Sequence, residues 1–426
     1  MKRNQGAVLL LALLGLTTIS VLAGAFVQMG VYEQRFSEKN QDSVQAFYLS
    51  ESALDSGLSW LRGQLIPPTW TDRRVLPGGW RTLGRGVFLT TIDPDDNNPV
   101  SGVKRFTIEG WGASGTVASP LAARQTRMVV QTESFAQYAY FTNSELAPSG
   151  VPVWFVTGDR IEGPTHTNGQ FRMYGRPEFQ GPVSSVARNF IAWGGSGHTQ
   201  PIFKETPKFG VAPKKYPTSM PPEIPQSARS GGTVFKGDTS VTLLANGTMR
   251  VTNSQQGLTN KVMQLPKNGV LYVDGGTLSL QGTLSGQLTV ASSADIRLEG
   301  SVTYASDPRR NPQSKDVLGI VAGKNVVIPQ SSPHDMQIHG SIMAIDSAFG
   351  VENWWDRSNA KGKLTIYGGL IQKNRGPVGS FDPSTGRILS GYQKDYHYDP
   401  RLGGLSPPAF PNTGDYKTLV WQEDSS

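Results

Sequence analysis

The chain has 426 residues, a formal net charge of +7 and no cysteine. Without cysteine, disulfide and thiol chemistry are excluded, while the mild basic excess, scattered among acids, permits DNA or anionic surfaces as partners without forming a polybasic tract. With 49 Gly, 29 Pro and only 17% charged residues, and no long helical periodicity after Leu65, everything beyond the N-terminal region reads as all-β.

The first element is a helix. Lys2 and Arg3 precede an apolar run from Ala7 to Val27, and no charge returns until Glu33. About 20 apolar residues cross a hydrocarbon core of about 30 Å. Thr17, Thr18 and Ser20 can bond back to their own helix. Lys2 and Arg3 favour the cytoplasmic side, which puts the chain beyond Gly30 outside an inner membrane crossed once. The pattern then continues as an amphipathic helix, with Phe36, Val44, Phe47, Leu54, Leu58, Leu61 and Leu65 on one face. A cleaved secretory signal would use Ala23-Gly24-Ala25, but the helical pattern runs straight through that site. A plain single-span anchor is the other alternative.

The segment Gly6-Ala7-Val8-Leu9-Leu10-Leu11-Ala12-Leu13, with Gln45-Ala46-Phe47-Tyr48-Leu49-Ser50-Glu51-Ser52-Ala53-Leu54 further on, resembles PilX-type minor type IV pilins and pseudopilins over roughly the first 65 residues. The resemblance implies a leader over residues 1–6 and cleavage by prepilin peptidase between Gly6 and Ala7. It also implies methylation of the new amino terminus and packing of helix 7–65 among other pilins. Major pilins carry a Glu five residues into the mature chain, where this sequence has Leu11. That departure implies a minor subunit at the pilus tip or one that initiates assembly.

Ile66-Pro67-Pro68 ends the helix. Gly86–Ile92, Val103–Glu109 and Gln125–Gln131 then read as antiparallel strands laid across it, a pilin-like meander over residues 66–134. The joining loop Asp93-Pro94-Asp95-Asp96-Asn97-Asn98-Pro99 has the opening spacing of an EF-hand. Asn98 and Lys104 replace its Gly and Glu, so it reads as a hairpin turn.

Residues 135–405 are too long for a pilin head and read as an insertion. Short strands closed by glycine recur, as in Gly276–Gly282, Ala294–Gly300, Gln337–Ala344 and Leu364–Ile371. Irregular repeats of this kind indicate a parallel β-solenoid; a β-sandwich is the alternative. Phe203–Ser230, rich in proline and carrying Lys204, Lys208, Lys214 and Lys215, reads as a polyproline surface crossing. Residues 406–426 supply a last strand, Tyr416–Trp421, that returns to the pilin sheet.

No enzyme is expected. The five histidines are far apart and no phosphate loop or nucleophile elbow is present. Asp159 with Glu162, and Asp295 with Glu299, read as turn formers, and His166 as a hydrogen-bonding corner residue. No cofactor or metal is implied. Binding has more support: Trp354 and Trp355 precede Arg357, Lys361 and Lys363, and aromatic faces beside cations suit single-stranded nucleic acid or sugar rings. Trp193, Lys373 and Arg375 are weaker members of this set, and Lys214 and Lys215 add charge on the crossing. A pilin with a large inserted solenoid also resembles competence-associated minor pilins, which implies an extracellular head on a pilus as a DNA receptor. The alternatives are a surface or glycan adhesin and a purely structural tip primer.

Overall fold

The structure, a computed structural model, describes residues 5–64, 67–68, 70–95, 103–195, 197–382 and 387–424. The leader residues 1–4, the end of the expected helix at 65–66 and most of the Asp/Asn-rich loop lie outside these.

Helix α1 (Gln5–Gly63) is a single uninterrupted element of 59 residues, about 89 Å long at 1.5 Å per residue. Its apolar N-terminal half is long and hydrophobic enough to cross a membrane, with mean hydropathy 2.3 over its best window. The hydroxyls of Thr17, Thr18 and Ser20 donate to carbonyls three or four residues earlier, so they add no unpaired polar group to that half.

The two halves of α1 differ in surroundings. From Val8 to Phe36 the large apolar side chains are exposed. From Ala46 onward, Ala46, Leu49, Ser50, Ala53, Leu54, Gly57 and Leu61 are buried, a stripe at helical spacing. This corrects the expected face: Phe36 and Val44 point to solvent, and the seated stripe is built largely from small residues.

The reason is the sheet underneath. Strands β1 (Gly86–Pro94), β2 (Arg105–Gly115), β3 (Pro120–Ser134) and β4 (Asn412–Asp424) pair antiparallel in that order. A Cβ on Gly112 would lie 2.2 Å from the Ala46 carbonyl oxygen, and one on Gly110 would lie 2.2 Å from that of Ser50. Helix and sheet therefore meet backbone to backbone, and Thr90 Oγ1 donates to the Ala53 carbonyl at 2.8 Å. Leu54, Leu61, Ile92, Phe106, Ile108, Met128 and Val130 fill the space on either side.

The chain between Ser134 and Asn412 forms the head. Its longest ladder is parallel throughout. Val270–Asp274 pairs with Gln287–Ser292, that strand with Val317–Ala322, and so on through Met336–Ala344 and Ala360–Asn374. Ala360–Asn374 then pairs with Tyr140–Ser144, which continues to Thr165–Thr167, Val183–Ser185 and Lys208–Phe209. A second parallel ladder joins Thr239–Leu244, Leu278–Leu284 and Ile296–Tyr304. Alternate side chains such as Leu278, Leu280, Ile296, Leu298, Leu318 and Ile320 point into one continuous apolar core. Gly340 (φ 145°) pairs with Gly368 (φ 147°) on the next strand, and a Cβ on Gly368 would lie 2.1 Å from the Gly340 carbonyl oxygen. Both positions therefore require glycine.

The rungs are not stacked in chain order. The chain enters in the middle at Tyr140, runs outward to Phe209, and restarts at the far end with Thr233–Lys236. The Pro/Lys-rich stretch spans that return. It is not wholly polyproline in character: it contains helix α2 (Glu223–Arg229), whose Ile224 and Ala228 are buried against Val270, Tyr272 and Val317. The segment thus covers one outer face of the stack.

Replacing Gly112 by Val should prise α1 off the sheet. The contact is with helix backbone, which cannot step aside, so a loss at the upper end of the about 1–3 kcal/mol for overpacking is expected. Thermal melting read by circular dichroism measures it. An unchanged midpoint would contradict the close approach.

Candidate functional site

The structure distributes the sequence-selected residues over three environments. Trp354 and Trp355 follow the strand Phe349–Val351, their rings edge to face at 5.9 Å. Trp354 is half-buried against the core and its carbonyl accepts a hydrogen bond from Ser390 Oγ, whereas Trp355 is 63% exposed. Arg357 and Lys363 have exposed side chains, and the Lys363 amide donates to Asp335. Lys361 is a brace: its ammonium donates to the carbonyls of Gln330 and Ser332 at 2.9 and 2.7 Å. Of the expected cluster, the Trp355 indole and the Arg357 and Lys363 side chains face solvent.

Lys214 sits elsewhere, at the junction of head and sheet. Its ammonium is 2.8 Å from Glu133 at the end of β3 and 3.4 Å from Asp415 at the start of β4. Burial works against the Glu133 carboxylate, but Lys214 and Thr413 outweigh it and hold the group below its ordinary range. The Lys214 backbone is fixed in turn by Asn168, which both donates to it and accepts from it. Lys214 is therefore committed to holding strands together, and Lys215 beside it remains exposed. Arg375 is buried. Its guanidinium pairs with Glu145 at 3.0 Å, lies 3.6 Å from the Phe155 ring centroid and donates to the carbonyls of Val153 and Trp154. Lys373 pairs with Asp346 on the surface.

A concave site that sequence reasoning did not assemble lies beside this buried pair. An open groove of about 730 Å³ runs between the loop Ala147–Asp159 and the outer side of Val327, Gly350 and Trp354. Asp159, Arg375 and Lys394 line both this groove and an adjoining pocket of about 250 Å³ walled by Arg160, Glu162, Asp395 and His397. The groove walls are mainly apolar. The pocket is charged: Asp159 pairs with Lys394 at 3.0 Å, and His397 bridges Glu162 and Asp395, each at 3.1 Å. Burial pushes the Lys394 ammonium below the usual lysine range, against the pull of Asp159. Asp159 and Glu162 stood out in the sequence only as turn-forming acids. Their partners lie 235 residues away, so no local spacing could reveal the pairing.

Histidines are placed by hydrogen bonding. His166 contacts Ser184 Oγ at 2.8 Å and Asn168 Oδ1 at 3.0 Å. His339, 3% exposed, accepts from the Tyr304 amide and lies 3.2 Å from an Arg309 nitrogen. Among the described residues, no group of three or more His, Asp or Glu side chains is placed to hold a metal ion.

Residues 104–187 match the family described as a domain of unknown function, DUF4900, a match that spans β2, β3 and the first strands of the head. Among solved structures the chain is similar to the crystal structure of the competence-associated pilin ComZ from Thermus thermophilus. Identity is 11% and the TM-score 0.37, with 90% of this chain and 97% of that chain covered, a likeness too slight to bear on function. No curated protein matches the chain.

Burial, with Arg309 nearby, lowers the His339 pKa to about 4; Asp307 and Asp399 oppose the shift. Above pH about 6.5 both folded and unfolded forms are neutral at this residue. Between about 6.5 and 4 only the unfolded chain takes up the proton, so stability should decrease as the pH is lowered across that window. His339→Gln should flatten this part of the melting-temperature profile, and an unaltered slope would contradict the assignment.

Proposed function

We propose that this chain is a minor type IV pilin, cleaved between Gly6 and Ala7, held in the inner membrane by α1 and then packed by that helix among other pilins. It occupies the tip or initiating end of the filament and carries a β-solenoid head outside the cell. One observation carries the reading. The N-terminal half of α1 is an apolar rod whose large side chains are exposed among the described residues, and it continues unbroken into a half clamped on an antiparallel sheet. Such a rod needs a bilayer at one stage or neighbouring helices at another. A plain anchor would satisfy the first half but gives no reason for a rigid continuation into the sheet. Leu11, apolar where major pilins carry Glu, supports the tip position. The parallel registers of the head support the solenoid reading.

In a piliated host, the mature protein should begin at Ala7 by mass spectrometry and appear with sheared filaments, with label at their ends. Gly6→Leu should remain as full-length precursor in the membrane. A mature start at Phe26, or label spread along shafts, would overturn the reading.

A second reading, the head as a DNA receptor, is favoured by the exposed Trp355 and the exposed Arg357 and Lys363 that follow it in sequence. With Lys361 and Lys214 committed internally, about two phosphate contacts remain there, so the slope of log affinity against log salt should be near −2 for duplex DNA. Trp355→Ala should cost about 1–3 kcal/mol per stacked base on single strands. No shift of DNA by folded protein at low salt would end this reading.

A further inference from the structure

The groove between the loop Ala147–Asp159 and Trp354, with its charged inner end, is used by neither reading above. We infer that it binds an extended, uncharged glycan chain. This goes beyond the proposed pilin role and does not depend on α1 assembling with anything.

Four features lead there. First, the groove of about 730 Å³ falls within the about 300–1,000 Å³ of typical ligand sites, mostly apolar with a few convergent polar groups. Second, indole rings stand on both sides: Trp154 on the loop and Trp354 opposite. Trp154 lies 5.1 Å from Trp193, which is 54% exposed, so the aromatic surface continues past the mouth of the groove. A track of flat rings suits a polymer with repeating apolar faces. Third, the polar groups at the inner end are acids, amides and an imidazole, with Asp159, Glu162, Asp395, Gln393 and His397 among the lining residues. These accept from and donate to hydroxyls.

Fourth, charge selects among polymers. Asp159, Glu162, Glu352 and Asp395 line the two cavities against Arg160, Lys394 and Arg375. Lys394 already faces Asp159, and Arg375 already faces Glu145. No positive excess is left for a chain of phosphates or uronates, whose binding depends on counterion release by unengaged cations. A lipid chain is disfavoured because it would displace water from this polar end and offer its hydrogen-bonding groups nothing in return. A pyranose chain, apolar on its ring faces and hydroxylated at its edges, meets both surfaces.

The test uses the full-length protein in a detergent without a sugar headgroup, because a maltoside would compete. Cellohexaose and chitohexaose are titrated while tryptophan fluorescence and calorimetry are read. Saturable binding of at least one hexasaccharide is expected, with dissociation constants below about 1 mM. Trp154→Leu and Gln393→Ala should each weaken it by about tenfold without lowering the melting temperature. Trp193→Ala should weaken binding of the hexasaccharide while leaving that of the matching disaccharide, cellobiose or chitobiose, unchanged. Trp355→Ala, outside the groove, should alter neither. Folded protein that binds neither hexasaccharide at about 5 mM would overturn the inference. So would binding that survives Trp154→Leu and Gln393→Ala, or a single-stranded DNA oligonucleotide that occupies the groove and is lost with those same variants.

Discussion

Where α1 crosses Gly110 and Gly112 of β2 there is no room for a side chain. At Gly110 and Gly112 the sheet backbone touches the helix backbone at Ser50 and Ala46, and this contact sets where everything else can be. Because α1 is seated there, β1 and β3 flank it in register, and β3 can receive β4 as the last strand of the sheet. The head is then attached at two neighbouring points, Ser134 and Asn412, which pair directly across β3 and β4. Lys214 secures the junction from the head side through Glu133 and Asp415, and Ser134 and Ser406 bond across it at 2.8 Å. A loosened helix would therefore disturb the base on which the head stands.

The long helix and the all-β body were legible because both are local signals: an apolar run, a helical period, and glycine-closed β-rich segments. Strands at 86–94, 105–115 and 120–134 overlap the expected runs 86–92, 103–109 and 125–131, though each extends past the expected end and the second starts two residues later. The buried face of α1 was legible at Leu54, Leu58 and Leu61 but not toward its N-terminal end, where Phe36 and Val44 are exposed, because periodicity rewards large apolar residues. Backbone contact instead selects small ones, and Ala46, Ser50, Ala53 and Gly57 carry little hydropathy. The partnership of the groove residues was hidden for a different reason. Asp159 meets Lys394, and Glu145 meets Arg375, only after the stack has brought remote strands side by side. The aromatic–basic cluster was legible as composition but not as availability, since Lys361 and Lys214 spend their charge inside the protein.

The order of the rungs bears on how the head forms. Tyr140–Ser144 pairs with Ala360–Asn374, and the segment carrying α2 crosses from one end of the stack to the other between those events. Most contacts that complete the core are distant in sequence, a topology that slows folding and leaves strand edges unpaired until late. Tyr216, on the crossing, donates to the Ala344 carbonyl at 2.7 Å and stacks on Phe141. It therefore joins the rungs that form from the two halves of the head.

The paired attachment of the head has a mechanical meaning. β3 leaves the sheet at Ser134 and β4 enters it at Asn412, so both covalent links emerge at the same edge. A pull between helix and head draws both strands the same way. It does not slide them past each other. The tension passes instead to the next ladder, where β2 and β3 pair along nearly their whole length, from Arg105 with Gln131 to Gly115 with Pro120. Antiparallel hydrogen bonds lie perpendicular to the strands, so that ladder is loaded in shear and must yield across many bonds together. Peeling, in which bonds fail one at a time, is denied to it by the way the chain returns.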